Sequence, residues 1–366
     1  MTRPARPSAH KARPVLADAR SGRRRRSVHT INDVAARAGV SIKTVSRVVN
    51  REPNVREDTM QKVLRAIREL KYRPNFSARN LASSRAYLVA VLYDNPSDSY
   101  IVSVLEGVLA ACEEADYGVL LQPFNVASPR LCDQVHEMLA QRRPSGLVLT
   151  PPLCDLEPLL AALDADGTAY ASIAPRHENR GKPFVSIDDV RAGYDLTEYL
   201  LGRGHRRIGF IKADPRHGAA SRRLQGYLEA LRVHNISVDE RLIANGLLSF
   251  ESGVECARRL LRQPDRPTAI FASNDDMAAG VMHAAHELGM RVPAELSVAG
   301  YDDVPIARYV YPSLTTVRQP IRAMASGAVQ CLLQSMRPGV DSAAPGDIVR
   351  RFEYEIIIRD SVAAPP

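Results

Sequence analysis

From Tyr87 to about residue 336, short apolar runs take turns with amphipathic helical patterns. The runs are "YLVAVLY" (87–93), "YGVLLQ" (117–122), "GLVLT" (146–150), "YASIA" (170–174), "RIGFI" (207–211), "AIFAS" (269–273) and "LSVAGYD" (296–302). Between them, residues 101–115, 130–142, 190–202, 221–234, 252–262, 275–288 and 320–336 repeat at helical spacing. Apolar runs with little alternation, joined by helices, specify parallel sheets covered on both faces. More strands are present than one small doubly wound sheet needs, so the pattern predicts two side-by-side α/β lobes. Ligands of such lobes sit at the carboxyl ends of strands or in the cleft between lobes.

The chain ahead of Tyr87 differs. Residues 1–85 carry 21 Lys+Arg against 6 Asp+Glu, a balance of +15; the remainder carries 28 against 35, a balance of −7. A basic head on a mildly acidic body points to a polyanion partner for the head. Residues 1–27, with "GRRRR" at Gly22–Arg26, lack periodicity and read as a disordered basic tail that attracts phosphates or is an inert extension.

Residues 30–72 read as three short helices. In "TINDVAARAGVSIKTVSRVVN", Thr30 is placed to cap the first, with Asp33 three residues on as a variant capping box. Val34, Ala35 and Ala38 share one face. Gly39 supplies the sharp turn, where positive φ is cheap. Ser41 can cap the second helix, in which Val45, Val48 and Val49 fall at i, i+3 and i+4. That is helix spacing and not strand alternation. Ile42, Lys43, Thr44 and Arg47 face outward. The third helix runs from about Glu57 to Tyr72, with Met60, Val63, Leu64, Ile67 and Leu70 inward. Small, Gly and apolar positions at these offsets, inside the only strongly basic segment, specify a helix-turn-helix. A three-helix interaction bundle with a solvated charged face is the competing reading.

Several classes are excluded. No run approaches the ~18–20 apolar residues of a membrane span, and no apolar signal region stands at the N-terminus. Cys112, Cys132, Cys154, Cys256 and Cys331 are far apart with no CxxC, which suits buried reduced thiols in a cytoplasmic protein. There is no GxGxxG, P-loop or GxSxG, and His205, His217, His283 and His286 sit in no metal-ligand frame, so neither an enzyme nor a metal or cofactor is expected.

"TINDVAARAGVSIKTVSRVVN" followed by "LKYRPNFSARNLASS" resembles the head of the lactose/galactose repressor family of bacterial transcription regulators. The likeness continues through "GRGHRRIGFI" (202–211), "RRLQGYLEAL" (222–231), "AIFASNDDMAAGVMHAAHELGMRVPAELSVAGYDD" (269–303) and "PSLTTVRQP" (312–320), and spans roughly residues 30–358. The resemblance implies a helix-turn-helix head at 28–74, a hinge helix at 75–86 and a body of periplasmic-binding-protein type at 87–360. Its N-lobe would take about 87–186 plus 316–338, and its C-lobe about 187–315 plus 339–358.

The resemblance also implies roles. Ile42, Lys43 and Arg47 of the second helix would meet base edges in the major groove. Arg47 suits a guanine, Ile42 a thymine methyl, and Lys43 a base or a phosphate. Thr30, Ser41, Thr44, Ser46, Asn50, Tyr72 and Asn75 would hold phosphates and register. In the hinge, Leu81, framed by Ala78 and Arg79, would wedge between base steps in the minor groove. In the body, Arg223, Asn274 and Asp302 match effector-binding positions, able to hold sugar hydroxyls or a carboxylate by paired hydrogen bonds. Asn274 can also simply cap the helix it precedes. Asp94, Asn95 and Tyr100 follow the first strand and can line the cleft. The implied partners are a near-palindromic DNA operator, a small sugar-like effector and a second copy of the chain. A solute-binding protein serving a permease would fit the body alone, but not the basic head.

Two departures matter. Many relatives carry an aromatic ring a few residues before the "SG" of "GLLSFESG" (246–253); here that position is Leu248, with Phe250 shifted by two, and the chain has no Trp. Either Phe250 or a tyrosine substitutes, or the effector is not an ordinary hexose. The third helix has Arg56 where a Ser or Thr cap is usual, so Asn54 or Asp58 is expected to share that work.

Overall fold

The computed structural model describes residues 29–49, 55–72, 86–177, 181–337 and 348–366. Asn50, Asn54, Asn75, Ala78, Arg79, Leu81 and the tail 1–27 lie outside the described residues. The chain divides into two compact units, Met1–Arg79 and Asn80–Pro366.

The first unit contains α1 (Ile31–Ala38), α2 (Ile42–Val49) and α3 (Glu57–Leu70). The Thr30 backbone N–H donates to Asp33 Oδ2 at 2.7 Å and its hydroxyl donates to the same oxygen at 3.0 Å. The carboxylate thereby fixes the chain entering α1. Gly39 closes α1 at φ 67°, ψ 35°, its N–H turned back on the carbonyls of Ala35 and Ala36. Ser41 Oγ accepts from Thr44 N at 3.1 Å and caps α2. Val34, Val45 and Val63 are fully buried, with Ala35, Val48 and Ala66 beside them; Ile31, Met60, Ile67, Leu70 and Tyr72 pack around this core. Leu64 departs from expectation: it is 36% exposed, at the edge of the α3 stripe rather than in it. At the start of α3, Arg56 takes the extended cap conformation without a side-chain cap bond; Glu57 and Asp58 in the first turn complement the helix dipole instead.

The second unit holds two sheets. The first contains β1 (Leu88–Tyr93), β2 (Gly118–Pro123), β3 (Gly146–Leu149), β4 (Tyr170–Ile173), β5 (Phe184–Ser186) and a late strand, β11 (Val349–Arg351), in the order β11-β5-β4-β3-β1-β2. The second contains β6 (Ile208–Lys212), β7 (Ile243–Asn245), β8 (Ala269–Ala272), β9 (Ser297–Asp302), β10 (Thr315–Arg318) and β12 (Glu355–Ile357), in the order β12-β10-β9-β8-β6-β7. All pairings are parallel except β10 with β12. β1, β3, β4, β5, β8 and β9 are buried almost throughout, which is why they read as apolar runs without alternation.

Helices α4 (Asp98–Glu114), α5 (Leu131–Arg142) and α6 (Glu157–Ala165) connect the first sheet; α7 (Asp189–Gly202), α8 (Gly218–Val233), α9 (Phe250–Leu261), α10 (Asp275–Glu287) and the short α11 (Ile306–Tyr309) belong with the second. After β10 the chain returns to the first lobe as α12 (Ile321–Ser335), which packs on α4, β3, β4 and β5. The expected lobe limits change accordingly. Residues 316–318 belong to the second sheet and not the first, and β11, assigned to the C-lobe, pairs with β5 in the first. Strands this short carry no periodicity of their own; long-range pairing assigns them.

Candidate effector cleft and DNA-reading face

On the head, α2 turns Val45 and Val48 into the core, so the intervening side chains point away from it. Ser41, Ile42, Lys43 and Arg47 are exposed, Ile42 at 51%. Thr44 and Ser46 are half-buried beside them. Thr30 and Ser41 already serve as helix-entry groups, which leaves their exposed oxygens at two helix N-termini. Tyr72 packs its ring on the head core, and burial raises its hydroxyl pKa.

The cleft lies between the lobes, at the carboxyl ends of the strands. Asn95 and Tyr100 follow β1, Pro151 follows β3 and Ala174 follows β4. Facing them, His217 and Arg223 follow β6, Asn274 follows β8, Asp302 ends β9 and Gln319 follows β10. Together with Ser97, Ala219, Ala220 and Leu248 they enclose a cavity of about 30 Å³. That is room for about two waters, so a sugar-sized ligand requires the lobes to part.

Arg223 is the hub. It is 6% exposed, and its Nε donates to Asp189 Oδ1 at 3.0 Å while Nη1 donates to the Ser273 carbonyl at 2.6 Å. Asp302 Oδ1 stands 3.8 Å from Nη1, and the guanidinium lies 3.7 Å above the Tyr301 ring. Tyr301 in turn donates its hydroxyl to Asp189 Oδ1 at 2.8 Å. Burial opposes the charge on Arg223, but Asp189, Tyr301 and Asp302 more than offset it and keep its pKa above the ordinary value. Asp302 accepts from Gln319 Nε2 at 2.6 Å. Burial pushes its carboxyl up to about 7, against the pull of Arg223 and Gln319. Burial also pushes His217 down to about 4, so its imidazole is neutral near pH 7. Three lining residues hold positive φ without being glycine: Ala174 (48°), Leu248 (62°) and Asp302 (108°). Such strain gathers where a ligand site over-determines the backbone.

The structure brings Arg223, Asn274, Asp302, Asn95 and Tyr100 together and separates two others. Asp94 accepts from Val126 N at 2.8 Å and is not among the lining residues. Phe250 packs against His283, ring centroids 5.5 Å apart, on the flank of the second-lobe core; Leu248 takes the cleft position. Asn274 does cap α10, accepting from Met277 N at 3.0 Å, while its Nδ2 donates to the Leu248 carbonyl at 2.9 Å. It therefore shapes the wall as much as it faces the cavity. Ser97, His217, Gln319 and the orienting Asp189 escaped the sequence reading. The available signal was placement: each follows a strand end, as does Asp189 in "SIDD".

Among the described residues, no group of three His, Cys, Asp or Glu is placed to hold a metal. No described helix is long and apolar enough to cross a membrane. The described cysteines are all free thiols; Cys132 is partly buried and the other four are buried.

A helix-turn-helix head joined to a two-lobed body with a polar cleft defines a ligand-responsive DNA-binding protein. Residues 30–75 match the model of bacterial regulatory proteins of the lacI family, and residues 197–362 match the periplasmic binding protein-like domain. The HTH-type transcriptional repressor PurR of Proteus mirabilis is 37% identical over 83% of this chain and 89% of its own length; that of Escherichia coli O139:H28 is 36% identical over the same shares. The lac repressor dimer bound to operator and the anti-inducer ONPF superposes with a TM-score of 0.73 at 28% identity, covering 92% of this chain and 99% of the other. A complex of the transcriptional regulator CelR with cellobiose gives 0.68 at 31% identity, over 91% and 99%. The chain belongs to the lacI family of bacterial regulatory proteins: it is a DNA-binding transcriptional regulator with an effector-binding domain, and not an enzyme.

Proposed function

We propose that this chain is a repressor that binds a near-palindromic operator as a homodimer and releases or tightens on it when an uncharged polyhydroxylated effector, a sugar or sugar derivative, enters the cleft. Arg223 with Asp302 and Gln319 at the cavity wall is the observation that carries this reading. Asp189 already pairs Arg223, and Asp302 adds negative charge as it ionises near pH 7, so the local balance disfavours an anionic ligand. Amide, guanidinium and carboxyl groups together suit hydroxyls that both donate and accept. Tyr100 is the one Phe, Tyr or Trp among the lining residues, so stacking on a sugar face falls to it or to the His217 ring. The sugar reading also draws support from cellobiose on the CelR relative.

On the DNA side, Ile42, Lys43 and Arg47 read bases, and Thr30, Ser41, Thr44 and Ser46 fix phosphates and register. Coupling to the effector runs through residues 75–86, with Ala78, Arg79 and Leu81 engaging the minor groove; those positions lie outside the described residues. A second copy would seat on the exposed side chains of Val102 and Tyr309, which share one groove with α11 and the start of α12.

A thermal-shift screen of neutral sugars, matched sugar acids and sugar phosphates tests the effector class. A neutral sugar is expected to raise the melting temperature, and the rise to vanish in Arg223→Ala; stabilisation by the acids or phosphates alone would overturn the assignment. Selection of bound sequences from random DNA tests the operator: two inverted half-sites are expected, and a single unrepeated site would contradict the dimer.

A further inference from the structure

One carboxylate outside the cavity lining bridges the two lobes. Asp155 closes the short 3₁₀ turn Leu153–Asp155 after β3, in the first lobe. Its Oδ1 accepts from the backbone N–H of Arg176, also in the first lobe, at 2.6 Å. Its Oδ2 accepts from the backbone N–H of Gly218, the first residue of α8 in the second lobe, at 2.8 Å. The N-cap of α8, His217, makes no side-chain cap bond of its own. A negative group from the opposite lobe therefore supplies the cap that this helix lacks, at the end where its dipole favours it. α8 is the helix that carries Arg223.

The fit is specific to glycine. A Cβ at position 218 would collide with Cβ of Arg176 and stand 2.6 Å from Asp155 Oδ2. Arg176 also crosses the gap, donating from Nη2 to the Pro215 carbonyl. A second contact between the lobes runs from Ser97 Oγ of the first to Asp276 Oδ2 of the second, at 2.5 Å.

We propose that Asp155 is a cross-lobe latch, anchored on Arg176 and closed on Gly218, which sets how often the cleft opens and so how fast any ligand enters or leaves. Closure is balanced rather than locked. Among the described residues, Arg176 Nε is buried without a hydrogen-bond partner, a cost that parting the lobes would relieve. Burial also pushes the Asp155 carboxyl up, against the two backbone N–H groups that hold its charged form. The latch is thus a positioning device for α8, and it stands whichever ligand the cleft accepts; a failed sugar screen leaves it untouched.

Hydrogen exchange read by mass spectrometry on the full-length chain, without added sugar, tests it. Asp155→Ala removes the latch. Gly218→Ala leaves the carboxylate and the amide in place and suits a helical first turn, but denies the close approach. In both variants, exchange over 215–221 is expected to rise about tenfold, the scale of a lost charge-assisted hydrogen bond. Because the lobes part together, exchange over 95–100, around the Ser97–Asp276 contact, should rise with it, while the core strand β6 stays protected. A rise confined to 215–221 would overturn the proposal, since it would mark a local cap only. Unchanged exchange in Gly218→Ala would overturn it as well.

Discussion

Asp302 offers the sharpest handle at the scale of single residues. Burial pushes its carboxyl up to about 7 from an unperturbed 3.8, with Asp276 and Asp189 adding to the rise and Arg223 and Gln319 opposing it. Between those values the folded chain holds a proton that the unfolded chain has released. The stability linked to this group is therefore full below the unfolded value and is lost as pH rises toward the folded one. Asp302→Asn, which stays neutral, is expected to lose less stability than the parent between about pH 4 and about pH 7 in denaturant titrations; parallel slopes would show that Asp302 does not titrate there. Ligand hydroxyls that donate to Asp302 favour its charged form, so effector affinity should rise with pH through the same range, with proton release measurable by calorimetry in buffers of different ionisation enthalpy. On the head, Arg47→Ala should cost about 1–3 kcal/mol of operator binding and relax base preference at one position. An equal loss on every sequence would reduce Arg47 to a phosphate contact.

Among the elements, the pair α7 and α8 holds the site in place. Gly193 and Gly226 let the two backbones touch: a Cβ at 193 would strike the Arg223 carbonyl oxygen, and one at 226 the Val190 carbonyl oxygen. That closeness sets Asp189, the first residue of α7, against Arg223 of α8. Gly226→Ala is expected to destabilise the body by about 1–3 kcal/mol through overpacking and to weaken effector binding more than the loss of stability accounts for; normal binding would mean the helix spacing is not what positions Arg223. In the head, Ser41→Ala should cost about 1 kcal/mol by removing the α2 cap, read as a lower head melting temperature with the base preference kept. The helix-turn-helix was legible because Gly39, Ser41 and the valines of α2 each have one local job, and local spacing records it. The long parallel strands were legible because burial on both faces leaves them apolar. The strands β5, β7, β10, β11 and β12 were not: none stands in the sequence as an apolar run like those of β3, β4 and β8, and pairing with neighbouring strands places them. The same limit applies at the site. Leu248 and Phe250 stand two residues apart, and only the turn at Leu248, with φ 62°, decides that the leucine faces the cleft while the phenylalanine packs on His283.

At the scale of the whole molecule, the body ties its two lobes by the chain itself, which passes between sheets after β5, after β10 and between β11 and β12. Such a body can change lobe angle without unfolding either sheet, and a ligand biases that angle only through unequal contacts in the two arrangements. The coupling must then be reciprocal: if effector shifts operator affinity by some factor, operator shifts effector affinity by the same factor. The most direct test titrates the full-length chain onto its selected operator by fluorescence anisotropy, with and without the sugar found in the screen, for the parent and for Arg223→Ala checked to be folded. The expected result is a shift in operator affinity of about 5-fold or more in the parent, with operator binding retained and the shift abolished in Arg223→Ala. An operator affinity indifferent to the bound sugar, or a shift that survives the loss of Arg223, would contradict the account.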